Sequence, residues 1–357
     1  MPGVYISYPF CGQKCTYCNF ASGIGRVEVE RDYLEALKNE ILAAEWKWTP
    51  ETVYLGGGTP SRLDPEILSR ILRLISGRPW REATIEAAPG DITFEKVLGW
   101  RASGITRVSL GVQSFIDREL RQTGRRHNAE IVERDVKALR EAGIEEINID
   151  LIAGLPFQTP ESWSASLDWI ERLAPPHVSV YMLEVDEDSR LGQEILRHGG
   201  RFGAARVPSE ELTAQLYETA VDRLAVIGIA RYEISNFARP GHESLHNLKY
   251  WRLEPYLGFG SDAHSYDGSK RWWNVEQAPD YSVAPRKQIE DAQEDERFFV
   301  GLRLTAGIEL SEQEWTRWAT PISRHLDSGL LERDGAAIRL SRRGVLLSNE
   351  VFQDFLS

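Results

Sequence analysis

Six alternations of an apolar strand pattern with an amphipathic helix pattern fill the first half of the chain, and they restrict it to a parallel α/β architecture. The candidate strands are residues 4–7, 52–55, 84–87, 107–111, 147–152 and 177–183, and the helical patterns between them are 31–45, 65–75, 94–102, 128–142 and 160–173. Tyr33, Leu37 and Ile41 fall on one face of the first helix. Asp64-Pro65 and Thr159-Pro160 each pair an N-cap side chain with proline at the first helical position. Parallel strands joined by helices take right-handed crossovers. Six units predict an open, partial (β/α)6 barrel, with a closed eight-unit barrel as the alternative.

Beyond residue 183 the rhythm stops. Gly199-Gly200 and Gly203 mark a break, followed by an amphipathic helix over about 209–227. Residues 232–273 are dense in His, Trp, Tyr and Asn but weak in periodicity, so they read as loops covering the barrel mouth. Residues 284–295 read as a polar linker. The tail has a capping box at Ser311 and Glu314, a helix over 321–328 and a hairpin turned at Asp334-Gly335, an order that resembles a small winged-helix-like module. The division expected is 1–200 for the partial barrel, 201–290 for its extension and 291–357 for the C-terminal module. Trp272-Trp273 is expected to pack between barrel and tail.

All three cysteines, Cys11, Cys15 and Cys18, stand within eight positions and therefore belong to one site. The run V-Y-I-S before them alternates like a strand, and Pro9 stops it, so the thiols sit on a loop leaving a strand end. A disulfide framework calls for an even number and a secreted chain. Structural zinc calls for a fourth ligand, such as a distant His. Four cysteines fully ligate an electron-transfer iron-sulfur cluster, whereas three leave one iron open to a small molecule. Three buried thiols without metal are the remaining alternative, against which stands the affinity of clustered soft thiolates for metal.

The bulk composition bounds the setting. With 357 residues, 42% hydrophobic and 27% charged, and a mean hydropathy of -0.37, the chain reads as a soluble globular protein. It has no apolar run of about 18 residues, and M-P-G-V-Y lacks the marks of a signal peptide. A cytoplasmic location is expected, which suits free thiols. A net charge of -12, from 42 Lys and Arg against 54 Asp and Glu, argues against a broad nucleic-acid surface.

The motif C-x3-C-x2-C with Tyr17 before the third cysteine resembles the radical S-adenosylmethionine (SAM) superfamily. Gly56-Gly57-Gly58-Thr59-Pro60, directly after the second strand, resembles that superfamily's GGGTP loop. The resemblance implies a four-iron, four-sulfur (4Fe-4S) cluster on Cys11, Cys15 and Cys18, with SAM chelating the open iron. Reduction of the cluster then cleaves the sulfonium to a 5'-deoxyadenosyl radical, and the protein's part is positioning. It further implies that Gly57, Gly58 and Thr59 contact the amino group of SAM.

Glu86, Gln113 and Asp150 each place a polar side chain at the C-terminal end of a strand, where barrel active sites form. A buried carboxylate such as Glu86 needs a partner, and a cofactor ammonium or ribose would serve. Arg125 is a candidate to meet the SAM carboxylate bidentately. Each of these taken alone is as well read as a satisfied structural residue. Together they match the oxygen-independent coproporphyrinogen III oxidase-like branch of the superfamily, with Tyr5 and Tyr17 on its aromatic positions beside the cluster.

Within that branch, the oxidases carry an added N-terminal arm and a further cysteine two positions after the third. Here Cys11 nearly begins the chain and Phe20 occupies the extra position. The pattern instead resembles the HemW-type haem chaperones, in which H-N-L-K-Y-W, here 246–251, is the haem-associated motif. The resemblance makes His246 an axial iron ligand, Lys249 a cation for a propionate, and Tyr250 and Trp251 flat surface for the macrocycle; His242 and His264 are rivals for ligation. It implies delivery of haem to an acceptor haem protein and supply from an electron donor, and it admits a homodimer and peripheral membrane association. The enzymatic alternative is oxidative decarboxylation of coproporphyrinogen III to protoporphyrinogen IX. A winged-helix nucleic-acid binder with a sensing cluster is a third class, opposed by the acidic balance.

Overall fold

The structure, a computed structural model, describes residues 2–19, 21–284, 288–291 and 295–356. Its first half follows the strand-helix rhythm: β1 (Gly3–Tyr8), α1 (Val27–Ala43), β2 (Thr52–Gly57), α2 (Pro65–Leu72), β3 (Glu82–Ala87), α3 (Phe94–Ala102), β4 (Arg107–Gln113), α4 (Asp117–Gln122), α5 (Ala129–Glu141), β5 (Glu146–Ala153), α6 (Pro160–Leu173) and β6 (His177–Met182). Neighbouring strands from β1 to β6 pair in parallel. This is the six-unit partial barrel, not the closed eight-unit alternative. Helix starts obey the local chemistry. The Asp64 carboxylate accepts from the N–H groups of Glu66 and Ile67, and Thr159 forms a reciprocal box with Ser162.

Each strand divides its side chains between two faces. Val4, Ile6, Val53, Leu55, Ala83, Ile85, Val108, Leu110, Ile147 and Ile149 are at most 2% exposed, and they belong to the apolar core shared with the surrounding helices. The alternate positions Tyr54, Thr84, Glu86, Ser109, Asn148, Asp150, Ser179 and Tyr181 line a lumen. TIM-barrel interiors are usually filled by branched apolar side chains. Here the lumen is polar, and Asn148 knits it by donating to Ser109, Asp150 and Ser179.

The chain continues through α7 (Arg190–Leu196), α8 (Glu210–Val226), β7 (Ala230–Arg231), β8 (Asn236–Ala238), α9 (Leu245–Trp251), β9 (Tyr256–Phe259), β10 (His264–Tyr266), β11 (Lys270–Trp273), α10 (Ala278–Val283) and β12 (Gln288–Asp291). All six of these strands join the barrel strands in one twelve-stranded sheet, ordered β12-β11-β10-β9-β1-β2-β3-β4-β5-β6-β8-β7. Residues 232–273 are thus not loops over the mouth. They extend both sheet edges with strands of three or four residues, too short for a period to register. Residues 284–295 hold β12, paired antiparallel with β11, while 285–287 and 292–294 lie outside the described residues.

The segment between β8 and β9 closes the lumen from the N-terminal end of the strands. The Glu82 carboxylate, at the start of β3, accepts from Ser244 Oγ at 3.2 Å and from the N–H groups of Leu245 at 2.8 Å and His246 at 3.0 Å. An anion at a helix N-terminus satisfies orphan donors and opposes the positive end of the dipole. Ser244 and Asn247 complete the lumen wall.

The tail comprises α11 (Glu296–Gly301), β13 (Ile308–Glu309), α12 (Glu312–Arg317), α13 (Ala319–Asp327), β14 (Leu331–Asp334), β15 (Ala337–Leu340), α14 (Arg342–Leu346) and α15 (Ser348–Gln353), with a three-stranded antiparallel sheet ordered β13-β15-β14. Ser311 and Glu314 form the expected box. Phe298 stacks on Phe355 at 4.8 Å between centroids, and Arg271 pairs with Glu296 to tie tail to sheet. Near that sheet edge, Trp273 stacks on His264, and Trp272 lines a groove with Trp48 and Phe259. Among the described residues no helix is long and apolar enough to cross a membrane.

Replacing Glu82 by Ala leaves the N–H groups of Leu245 and His246 without their acceptor inside the fold, with the Ser244 cap on the Asn247 N–H remaining. The variant should lose about 2–3 kcal/mol of unfolding free energy, seen as a lower urea midpoint at unchanged slope.

Candidate cofactor site

β1 delivers the chain into the cysteine loop, which backbone contacts hold in place. Phe10 bridges to Gly23, and Cys11 N–H donates to Gly23 O at 2.8 Å. Thr16 N–H donates to Thr123 O, and Leu191 N–H to Thr16 O. The three thiols are free and partly exposed. Among the described residues no trio of His, Cys, Asp or Glu is placed to share one metal ion. The donor set is three soft thiolates with no carboxylate or imidazole among them, chemistry that fits separate irons of a cluster.

The glycine loop after β2 is fastened to this segment. Gly58 N–H donates to Tyr8 O at 2.7 Å and Thr59 N–H to Phe10 O at 3.0 Å. A Cβ on Gly58 would stand 2.7 Å from Phe10 O, so only glycine permits the approach. Gly57 has φ +106°. Burial pushes the Cys11 thiol pKa up, opposed by hydrogen bonds from Ser22 and Thr59.

Around these loops the lumen supplies the other candidates. Glu86 accepts from Tyr54 Oη at 2.9 Å and from Gly57 N–H at 3.2 Å. A Cβ on Gly56 would lie 3.0 Å from Glu86 Oε1 and 3.1 Å from the Tyr5 ring, so Tyr5, Glu86 and the glycine loop share one wall. A second wall holds Tyr17, Arg125 and Gln113. Arg125 Nη1 donates to Gly111 O at 2.6 Å and Nη2 to Tyr17 Oη at 3.3 Å, and the Cys15 thiol lies near enough to act electrostatically on both side chains. Asp150, the register partner of Gly111, accepts from Ser109 and Asn148. Arg125 Nε and Gln113 Oε1 are buried without a hydrogen-bond partner, and Gln113 has φ 70°. A buried donor and acceptor left open on one wall fit a zwitterionic ligand between them.

The radical SAM superfamily profile matches residues 5–170. The heme chaperone HemW of Bacillus subtilis is 34% identical over 100% of this chain and 99% of its own. That of Mycobacterium tuberculosis is 35% identical over 99% and 94%, and that of Escherichia coli 32% identical over 73% and 69%. The chain belongs to the HemW family. The solved structure of coproporphyrinogen III oxidase HemN from Escherichia coli shares the fold, with TM-score 0.85 at 24% identity over 99% of this chain and 89% of that one.

The HemW-type motif at 246–251 lies in α9, inside the molecule and away from the cysteine loop. His246 is 1% exposed, with Nδ1 2.8 Å from Thr52 Oγ1 and Nε2 2.9 Å from Tyr250 Oη. Both ring nitrogens are engaged, and Tyr54 stacks on the ring at 5.3 Å. Lys249 is buried and faces Glu254 at 3.5 Å. Trp251 lies under the Arg303 guanidinium. The structure thus gathers Tyr5, Tyr17, Gly57, Gly58, Thr59, Glu86, Gln113, Arg125 and Asp150 around the cysteines' end of the barrel and sets His246 apart. Phe20 lies outside the described residues.

Sequence reasoning passed over Tyr54, Ser109, Asn148, His177 and Tyr181. Their signal is a polar side chain at every second position of strands that otherwise read as apolar. The lumen they line has a cavity of about 40 Å³, far below the roughly 300 Å³ of small ligand pockets. A lumen this narrow has no room for a porphyrin-sized ring.

Burial, and next the Asp150 charge, raise the Glu86 pKa to about 7 from 4.5. Between these values the folded chain holds a proton that the unfolded chain has released, so stability falls as pH rises through the window and levels above it. Glu86→Gln should flatten this decline when unfolding free energy is followed against pH without added SAM, by at most about 3 kcal/mol.

Proposed function

We propose that the chain is a haem chaperone that carries a 4Fe-4S cluster and SAM, takes up haem and passes it to an acceptor haem protein. The observation that carries this reading is its full-length similarity to proteins named heme chaperone HemW. Cys11, Cys15 and Cys18 would hold three irons. Arg125 would receive the SAM carboxylate, Gly57, Gly58 and Thr59 its amino group, and Glu86 a ribose or ammonium, with Gln113 and Asp150 completing the wall. When bound, the cluster and SAM supply one-electron chemistry at the sulfonium, fed by an external electron donor.

The chain's own residues prepare that site. Partly desolvated, Glu86 takes charge most readily when a cation arrives, because an ammonium nearby lowers a carboxyl pKa that burial had raised. Arg125 is held on two sides, by Gly111 O and Tyr17 Oη, which fixes its fork before any carboxylate binds. The narrow lumen supports a macrocycle held at the mouth and not within the barrel.

Anaerobic reconstitution with iron and sulfide tests the cluster. Cys15→Ala should lose iron, sulfide and the visible absorbance while keeping its capacity for haem. Haem loaded on the wild-type chain should transfer to an apo-haem enzyme and restore that enzyme's activity. Catalytic conversion of coproporphyrinogen III to protoporphyrinogen IX by reduced protein with SAM would replace the chaperone reading with the oxidase one.

A further inference from the structure

An iron porphyrin held through a histidine needs an imidazole nitrogen that is free and open to a flat ligand. The seven histidines divide sharply on that requirement. His177 and His246 are buried with both ring nitrogens engaged. His127 is buried against Val112 O, and His325 is buried against Asp354. His242 pairs with Glu146 at the N-terminal end of β5, away from the cysteine loop. His198, at the end of α7, has no aromatic neighbour among the described residues.

His264 differs from all of these. It is exposed and opens β10, and its ring nitrogens make no hydrogen bond among the described residues. β9 runs parallel to β1, so the turn from β9 into β10 stands at the same end of the sheet as the cysteine loop that leaves β1. Gly258 is the register partner of Tyr5. A Cβ on Gly258 would lie 2.0 Å from His264 O, so the His264 backbone crosses the sheet on the face that carries Tyr5. The Asp262 charge acts on both Tyr5 and His264. The turn that carries this imidazole therefore borders the cofactor wall.

The ring is also oriented. Trp273, its cross-strand partner, stacks on it with centroids 5.5 Å apart and planes inclined by 15°. A ligating imidazole stands on edge over a porphyrin, so a Trp parallel to it holds the ring upright and leaves its edge open. The charged groups that act on it are the carboxylates of Asp262 and Glu290 and, with opposite sign, the Arg271 guanidinium.

We propose that His264 is the axial ligand of haem at the barrel mouth, with Trp273 as its positioning residue. The assignment rests on the chaperone reading and deepens it by naming the site. The bond formed is a coordinate bond from the neutral imidazole nitrogen to the iron, with no electron or proton transferred.

The test is titration of haemin into the full-length protein, followed by Soret absorbance and electron paramagnetic resonance. Wild type should bind with an imidazole-ligated spectrum. His264→Gly should raise the Kd by about tenfold or more and lose that spectrum, and added imidazole should restore it. His198→Ala should bind as wild type does, and His264→Gly should stay folded with a melting temperature lowered by only a few degrees, the cost of the lost Trp273 stack and of glycine in a short strand. Unchanged Kd and spectrum in His264→Gly overturn the assignment while leaving the chaperone reading standing. So does a His246→Gln variant that loses haem at an unaltered melting temperature. A wild-type chain that binds no haemin overturns the chaperone reading itself.

Discussion

One carboxylate joins the two ends of the barrel. Glu86 accepts from the Gly57 N–H in the glycine loop and from the Tyr54 hydroxyl, and the Tyr54 ring lies against His246 in the floor helix. The glycine loop is in turn hydrogen-bonded to the segment that opens the cysteine loop. A continuous chain of contacts thus runs from the haem-associated sequence motif to the thiols. Packed interiors are stiff and transmit strain, so these contacts give the two ends a physical route to each other.

The polar lumen follows from the same constraint. Polar groups removed from water must find partners, and here they find one another across strands: Asn148 with Ser109, Asp150 and Ser179, and His177 with Asn148 and Tyr232. The network leaves a few atoms open, chiefly Arg125 Nε and Gln113 Oε1 on the cofactor wall, with Thr84 Oγ1 and Arg107 Nη2 deeper in. Where the network is complete it fixes the barrel, and where it is open it invites a ligand.

What could be read in the sequence was whatever left a local signal. Phe94–Ala102 and Pro160–Leu173 form helices with the boundaries that their patterns imply, because Thr93 and Thr159 cap them and Pro160 fixes the first φ of the second. The cysteine and glycine motifs announce themselves through spacing and the absence of Cβ atoms. The sheet's outer strands do not, since each is too brief to show alternation and owes its pairing to distant partners. The motif at 246–251 reads as part of an aromatic loop, yet it folds into a buried helix: Ser244 is its local N-cap, and Glu82, more than 160 residues earlier in the chain, receives the N–H groups of Leu245 and His246. The first signal is local; the second, which fixes the helix inside the fold, is not.

The floor helix closes the lumen at the N-terminal end of the strands, with Ser244 and Asn247 in its wall and Glu82 holding it there, while the cysteine loop stands at the opposite end. If a small molecule sat against the lumen wall and a larger one rested across the rim at that end, the two would share a doorway. The outer guest would then have to leave before the inner one could.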